Sequence, residues 1–223
     1  MAEEWKSPDG WTVENVYGES LNLSVSAAET FVECPRKWYR GYFQRVRSAG
    51  KAATIAGGKI HELAEQWLAK EEDPHSELYL RWWRYFEPAI AYVPGGRDLN
   101  WQIESALGGW AGPLPFKGFA DLWTVLEEDL HLPDEGVTLL AGDLLVGDWK
   151  TTSHSKDWRY AKSPYQLKEF RQPKWYTERI VKEKLGGTIP NRTHFFHINI
   201  ASTGKPKAMI TWAFSEDIKG TIR

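Results

Sequence analysis

A nine-residue segment, Leu144 to Thr152 (LLVGDWKTT), constrains the fold of this chain more than any other. It begins as a short apolar run typical of a buried β-strand, and it ends with an aspartate, a tryptophan and a lysine. Side chains two residues apart on a strand point to the same face, so Asp148 and Lys150 share one face and Trp149 points to the other. The segment therefore predicts a buried strand that presents a carboxylate and an ammonium group side by side.

Helical patterns dominate the chain before residue 99. A capping box at Ser26 and apolar residues at helical spacing predict a first helix from about Ala27 to about Gln44, bent at Pro35. A second helix is predicted to begin near Gly57–Gly58, and a third covers the aromatic-rich stretch SELYLRWWRYFEPAIAYV. We expect these helices to form an N-terminal region beside a sheet.

Strand patterns dominate the rest of the chain. Three strand segments (NWQIESALGG, FKGFADLWTVLE and VTLLAGDLLVGDWKTT) precede a helix that runs from Ser163-Pro164 to about Leu185 and is broken or kinked at Pro173. Two further strand segments, THFFHINIAS and KAMITWAFS, follow this helix. The order of elements predicts an α/β (α+β) fold in which helices pack around one central sheet.

The composition bounds the size and the setting of this fold. A chain of 223 residues is long enough for one domain, and we expect residues 1–98 to be a mainly helical lead-in and residues 99–223 to form the sheet core. No apolar run approaches the ~20 residues of a membrane span, and the acidic start (MAEEWKSPDG) is unlike a signal peptide. The one cysteine, Cys34, excludes an intramolecular disulfide, and a reducing, cytoplasmic setting is expected.

Charged residues are unevenly distributed, although the formal net charge is only −2. Residues 34–60 contain seven basic side chains and no acidic one, residues 150–184 contain ten basic and four acidic ones, and residues 118–149 contain eight carboxylates without a lysine or arginine. Basic segments can bind phosphates and an acidic centre can bind a cation, although solvated faces are the simpler alternative. The candidate nucleic-acid-binding residues are Arg36, Lys37, Arg40, Lys59, Lys156, Arg159 and Lys174.

A second buried-strand aspartate, Asp121, lies in GFADLW. If the two strands are neighbours, Asp121 and Asp148 meet at one end of the sheet, and a cation between them would relieve their repulsion. Carboxylate oxygens favour Mg²⁺ or Mn²⁺ over zinc. His61, in GGKIH, fits as a further ligand, although a lone helical histidine is more often packed or exposed. Lys150 beside such a cation would bind a phosphate or orient an attacking water, as in metal-assisted phosphodiester hydrolysis.

Five motifs, in order between Leu23 and Tyr176, resemble those of the PD-(D/E)XK nuclease superfamily in its RecB-like branch, which includes the CRISPR-adaptation exonucleases and many phage exonucleases. They are LSVSAAETFVECPRKWY, GGKIH, GFADLW, GDWKTT and QPKWY. Each motif alone is weak, since Asp-x-Lys occurs by chance in many proteins, but the ordered set is specific. The resemblance implies a single nuclease domain over residues 1–223, with a restriction-endonuclease-like core and a central mixed sheet.

The resemblance also implies a metal centre. His61, Asp121 and Asp148, with the backbone carbonyl of Trp149, would ligate one or two Mg²⁺ or Mn²⁺ ions, and Lys150 would be the catalytic lysine. An iron–sulfur cluster is not expected, because the members that hold one use four cysteines.

Three further residues are assigned to the site by the same resemblance. Gln172 and Tyr176, one helical turn apart, would support Lys150 or contact the DNA backbone. Glu104, on the strand before Asp121, would be an additional ligand or simply a solvated strand carboxylate. The chain departs from the superfamily's name at Ala120, where proline is usual in the motif; many members share this departure.

The implied activity is that of a divalent-metal-dependent DNA nuclease, an exonuclease acting in recombination, repair or phage DNA processing within a bacterial or phage-infected cell. Its expected partner is single- or double-stranded DNA with free ends, alongside a homo-oligomeric partner or a recombination protein. Two alternatives remain open: an inactive nuclease-fold protein that binds DNA as an adaptor, and an α/β protein with accidental motifs. An inactive copy usually loses the lysine or an aspartate of the motif, and neither is lost here.

Overall fold

The computed structural model describes residues 24–46, 52–69, 77–111, 114–152, 161–169 and 171–214. In these ranges the helices are α1 (Val25–Glu33), α2 (Pro35–Trp38), α3 (Ala52–Leu68), α4 (Glu77–Ile90), α5 (Pro164–Glu169) and α6 (Arg171–Arg179). Two π-helical segments, Tyr39–Phe43 and Ile180–Lys184, continue α2 and α6. The strands are β1 (Gln102–Ala111), β2 (Leu114–Val125), β3 (Leu130–Leu132), β4 (Val137–Leu139), β5 (Leu144–Thr152), β6 (Thr193–Ala201) and β7 (Ala208–Phe214).

Five of the strands form one mixed sheet in the order β1-β2-β5-β6-β7. Neighbouring strands are antiparallel except for β5 and β6, which run parallel and have α5 and α6 between them in the chain. A parallel pair needs such a crossover, because the chain has to return to the same end of the sheet. Strands β3 and β4 form a separate two-stranded ribbon. The predicted fold, a central mixed sheet flanked by helices, is confirmed.

Helices cover both faces of the sheet. On one face Phe86 of α4 packs edge-on against Trp149 of β5, with 5.9 Å between ring centroids. On the other face Tyr176 of α6 packs with Phe116 of β2 and Val146 of β5. A central strand covered on both sides reads as a continuous apolar run, which explains the sequence of β5. The Trp149 side chain therefore packs on the face of the sheet that α4 covers. The charged residues on either side of it, Asp148 and Lys150, lie on the face that α6 covers.

The first two helices differ in detail from the prediction. Ser24, rather than Ser26, caps α1: its Oγ accepts a hydrogen bond from the Ala27 N–H at 3.1 Å, so the helix begins two residues earlier than expected. The expected bend at Pro35 is a break, because Cys34 has an extended backbone with φ −159° and ψ 100°. A proline at the first position of α2 is favourable there, since its missing N–H would have no helical partner.

Helix α3 begins at Ala52, not near Gly57–Gly58 as predicted. Both glycines lie inside the helix. Glycine lowers helix propensity by about 1 kcal/mol relative to alanine, which is why the pattern indicated a helix start. Packing against the sheet overrides this preference.

One other predicted boundary was wrong. The segment VTLLAGDLLVGDWKTT forms two strands, because residues 140–143 make a turn in which the Asp143 carboxylate accepts the Leu140 N–H at 3.0 Å and Gly142 has φ +85°. The predicted helical stretch after Ser163 contains α5 and α6, and Pro173 lies in the first described turn of α6, where a proline fits. In the described part of the chain, no helix combines the length and the hydrophobicity needed to cross a membrane.

Candidate active site

Five elements bring polar side chains together at one end of the sheet. Strand β2 contributes Asp121, β5 contributes Asp148 and Lys150, and β1 contributes Glu104. Helix α3 contributes His61, and α6 contributes the two residues Gln172 and Tyr176. Asp121 and Asp148 were expected to meet if their two strands were neighbours. Strands β2 and β5 are hydrogen-bonded neighbours, so this condition is met.

His61, Glu104 and Asp121 form the group best placed to hold a metal ion. One ligand atom from each lies within 4.8 Å of the others, and His61 Nδ1 is 3.7 Å from Asp121 Oδ2. The β1–β2 register places Glu104 across from Asp121, and Glu104 has an unusual backbone φ of +44°. One imidazole nitrogen with two carboxylates suits a hard divalent cation such as Mn²⁺ or Mg²⁺. Asp148 lies outside this group.

The backbone of Trp149 connects the helix to the strands. Its N–H donates a hydrogen bond to Asp121 Oδ2 at 2.8 Å, and its carbonyl accepts one from the His61 ring. This carbonyl, which the resemblance assigns to the metal, therefore lies next to His61. A peptide group fixed in a central strand orients both candidate ligands.

Close contact between α3 and β5 depends on Gly57. A Cβ atom at this position would lie 2.6 Å from Thr151 Oγ1, far inside van der Waals contact. Gly57 is one turn before His61, and Thr151 is adjacent to Lys150. The glycine thus lets the helix approach the strand closely enough for His61 to reach Trp149 and Asp121. At the neighbouring Gly58, a Cβ would meet no atom within 4 Å.

Asp148 is 2% exposed and is held by donors from two directions. Gln172 Nε2 donates a hydrogen bond to Asp148 Oδ1 at 2.7 Å, while the Lys150 ammonium forms an ion pair with Oδ2. A hydrogen bond also joins Gln172 to the Tyr176 hydroxyl. His197 Nε2 of β6 lies 3.6 Å from Asp148 Oδ2. The carboxylate is thus oriented by α6 and paired with the lysine two residues away.

Electrostatics divide the carboxylates into two kinds. Burial raises the pKa of Asp121, and the nearby Asp148 charge raises it further. Burial, Glu65 and Asp148 raise the pKa of Glu104 to about 7. Burial acts in the same direction on Asp148, but Lys150 and His197 outweigh it and lower the pKa of Asp148. Asp148 is therefore ionised at neutral pH, and a cation beside Asp121 and Glu104 would stabilise their charged forms.

Burial and neighbouring charges also shift the pKa values of the basic and aromatic groups of the site. Burial opposes the charge on Lys150, but Asp148 and Asp121 outweigh it and raise the pKa of Lys150, so the ammonium form persists. Burial lowers the pKa of His61, which favours the neutral imidazole that a metal requires. Burial, followed by repulsion from Asp148, raises the pKa of Tyr176, so its hydroxyl stays protonated.

The structure adds Glu65, His197 and Glu29, which the sequence analysis did not select. Glu65 lies one turn after His61 on α3 and hydrogen-bonds to Glu104; this i,i+4 spacing was a readable signal. His197 pairs in register with Asp148 across the parallel β5–β6 ladder, which no local pattern indicates. Glu29 of α1 is close enough to Lys150 to contribute to the raised pKa of the lysine.

Five of the seven candidate DNA-binding residues are described, and they lie on different elements. Arg36, Lys37 and Arg40 line a cleft of about 660 Å³ beside α1. Lys59 forms an ion pair with Glu62 at 2.5 Å, and Lys174 is exposed on α6. The remaining two, Lys156 and Arg159, lie outside the described residues.

Comparison with known proteins addresses the family. The family model of the PD-(D/E)XK nuclease superfamily matches residues 22–111, a range that includes His61 and Glu104. The comparison with curated proteins found no match.

Two solved structures are similar to this chain. One is the crystal structure of a protein from Eubacterium rectale named "Putative exonuclease", which is 13% identical with a TM-score of 0.54, over 90% of this chain and 76% of that chain. At this identity the likeness establishes the fold alone. The crystal structure of SSO0001 is 11% identical over 91% of this chain and 72% of that chain, with a TM-score of 0.39, too low to establish a common fold. The match over residues 22–111 and the shared fold make this chain similar to the PD-(D/E)XK nuclease superfamily over its N-terminal region and in its architecture.

Proposed function

We propose that the protein is a divalent-metal-dependent deoxyribonuclease of RecB-like type that acts as an exonuclease. The observation that carries this proposal is the convergence of His61, Glu104 and Asp121 to within 4.8 Å beside the Asp148–Lys150 pair. The similarity of residues 22–111 to the PD-(D/E)XK nuclease superfamily supports the same activity. We further propose that residues 1–223 act as one nuclease domain in the cytoplasm of a bacterial or phage-infected cell, and that the single Cys34 leaves the protein without an iron–sulfur cluster.

The metal would be held by His61, Glu104 and Asp121, with Asp148 and the Trp149 carbonyl at its edge. A bound Mg²⁺ or Mn²⁺ supplies Lewis-acid polarisation of the phosphate and a lower pKa for water. The protein's part is to fix the ligands before substrate arrives. Trp149 does so through its N–H on Asp121 and its carbonyl on His61.

Lys150 would act as a fixed positive charge. Its pKa is raised, so it is protonated at neutral pH and is suited to bind the phosphate whose negative charge grows during attack. Asp148 keeps the ammonium group in place, and Gln172 keeps Asp148 in place. Tyr176, one turn further along α6, would keep Gln172 in place through their hydrogen bond.

Incubating the protein with end-labelled linear DNA and with circular DNA of the same sequence tests the activity. An exonuclease digests the linear DNA in Mn²⁺, leaves the circle intact and is inactive in chelator. Cleavage of the circle would replace the exonuclease with an endonuclease. Absence of cleavage in every divalent metal, together with retained DNA binding, would favour the inactive adaptor. The cellular process in which the protein would act, whether recombination, repair or phage DNA processing, depends on which of these activities is found.

A further inference from the structure

The cleft beside α1 has features that the cleavage chemistry does not use. Its volume of about 660 Å³ falls within the range of small-ligand clefts, roughly 300–1,000 Å³. Its lining includes Thr30 and Cys34 from the α1–α2 junction, Arg36 and Arg40 from the turns that follow, and Tyr42. No carboxylate lines it among the described residues.

Two exposed arginines give this cleft its charge. Arg36 and Arg40 are four residues apart, so they project from successive turns on one side. Within the described ranges neither has an ion-pair partner, whereas Lys37 between them pairs with Glu33 at 3.2 Å. A guanidinium group binds phosphate through two parallel N–H donors, which makes arginine the preferred side chain for this purpose. The charge of the cleft is therefore complementary to a phosphodiester.

Tyr42, which lines the cleft together with the two arginines, belongs to a group of packed aromatic rings. The Trp38 and Tyr42 rings are stacked with 6.4 Å between centroids and 20° between planes, and Phe31 contacts Trp38 edge-on at 5.4 Å. Tyr39, which stacks on Phe43 at 5.0 Å, is 44% exposed. Bases of a single strand can stack on such rings, whereas the bases of a duplex already stack on one another. The combination favours unpaired nucleotides over duplex.

Helix α1 connects the cleft with the candidate active site. Thr30, in its lining, directly follows Glu29, the α1 carboxylate that acts on Lys150. Helix α1 packs on α6, which carries Gln172. A strand bound in the cleft would thus lie along the helix whose Glu29 acts on Lys150.

We propose that this cleft binds a nucleotide of single-stranded DNA next to the phosphodiester presented to Lys150, with its phosphate on Arg36 and Arg40 and its base against Tyr42. The inference rests on the proposed nuclease function and adds a strand preference to it. The preference comes from α1, α2 and the π-helical segment, and not from the metal site.

Binding measured in chelator tests the cleft without cleavage. The probes are a labelled single strand of about 12 nucleotides and a hairpin duplex of the same sequence, a length within the range that such sites cover. Arg36→Ala and Arg40→Ala should each weaken single-strand binding about tenfold and lower the salt slope by about one. Tyr42→Leu should weaken single-strand binding about fivefold or more and leave duplex binding unchanged, whereas Tyr42→Phe should bind normally.

Arg192→Ala is the matched control. Arg192 is exposed, and its carbonyl accepts the Leu144 N–H at 2.9 Å, which places it about 20 Å along β5 from Lys150. The Arg192→Ala substitution removes the same charge from a distant surface and should leave DNA binding unchanged. Because Tyr42 supports Trp38, melting curves should accompany every variant.

The only cysteine of the chain provides a second readout. Cys34 lines the cleft, so single-stranded DNA should slow its alkylation by iodoacetamide, and duplex should not. This protection should be lost in Arg36→Ala. Equal affinities for Arg36→Ala, Arg40→Ala and Arg192→Ala, or equal loss of duplex and single-strand binding in Tyr42→Leu, would overturn the inference. Since no metal is present, these outcomes are independent of whether the protein cleaves DNA.

Discussion

Asp121 and Asp148 have different surroundings, although the sequence presents them as a pair. Asp121 faces His61 and Glu104, and its Oδ2 accepts only the Trp149 N–H among the described hydrogen bonds. Asp148 has one oxygen on Gln172 and the other on Lys150. This difference makes Asp121 a primary candidate for holding a metal, and it makes Asp148 the residue that positions the lysine.

Lys150→Ala tests the role of the lysine. The change removes the ammonium group that would stabilise developing charge, so cleavage should fall about 10²–10³-fold. DNA affinity in chelator should change only a few-fold, because one cation among many is lost. Lys184→Ala, at an exposed position in the π-helical segment that continues α6, is the control and should retain full activity. If Lys150→Ala cleaves within a few-fold of wild type, the assignment of the lysine is wrong.

A buried histidine outside the site should control stability in acid. His194 Nε2 lies 3.0 Å from the carboxylate of Asp143 at the opposite end of the sheet, and burial lowers the pKa of His194 below 6.5 despite the opposing effect of Asp143. Below pH 6.5 the unfolded chain therefore binds a proton that the folded chain excludes. Stability should be fully present above this pH and should fall with acidification, by at most about 1.4 kcal/mol per pH unit.

His194→Gln keeps an amide donor for Asp143 but does not titrate. The free energy of unfolding, measured by denaturant titration between about pH 5 and 8, should therefore depend less steeply on pH in this variant. His131→Gln, on the exposed strand β3, should have the pH dependence of wild type. Identical slopes in wild type and His194→Gln would show that His194 is not the titrating group.

At the scale of elements, the contact between α3 and β5 sets the geometry of the site. The two glycines of α3 have opposite surroundings: Gly57 is buried against Thr151, and Gly58 faces open space. They therefore form a matched pair in the same turn of one helix.

Gly58→Ala should raise the free energy of unfolding by about 0.5–1 kcal/mol, because alanine is the better helix former and meets no neighbour. Gly57→Ala should reduce cleavage several-fold, because α3 must move away from β5 and carry His61 with it. Thermal melts and cleavage rates measure the two effects. Adding Thr151→Ala to Gly57→Ala removes Oγ1 and should restore activity. Equivalent behaviour of the two glycine variants would contradict this account of the contact.

The whole molecule is expected to gain stability from a bound divalent metal. If the folded state alone assembles His61, Glu104 and Asp121, the free energy of unfolding should rise by about 2.7 kcal/mol when free Mn²⁺ exceeds its Kd about a hundredfold. His61→Ala and Glu104→Gln should reduce this gain, as should Glu65→Gln through its contact with Glu104. Glu128→Gln, at an exposed position after β2, should not. An undiminished gain in His61→Ala would place the metal elsewhere.

Features of the fold and of the candidate site could be predicted where they depend on residues close together in the sequence, and not where they depend on distant ones. The fold class followed from local periodicity, and the same-face arrangement of Asp148 and Lys150 followed from the two-residue repeat of a strand. The start of α3 was misplaced because the contact of Gly57 with Thr151 links residues far apart in the chain. The position of His197 beside Asp148 depends on the parallel pairing of β5 with β6, which periodicity cannot specify.

The order of the strands has a consequence for how the molecule folds. The candidate ligands His61, Glu104 and Asp121 require only α3 and the antiparallel strands β1, β2 and β5, whereas the contacts of Asp148 with Gln172 and His197 also require the crossover to β6. Antiparallel neighbours close short loops and form early, and a parallel pair closes a long one and forms late. During refolding we therefore expect Mn²⁺ affinity to appear before any cleavage of DNA, because a species that holds the metal would form before the surroundings of Asp148 are complete.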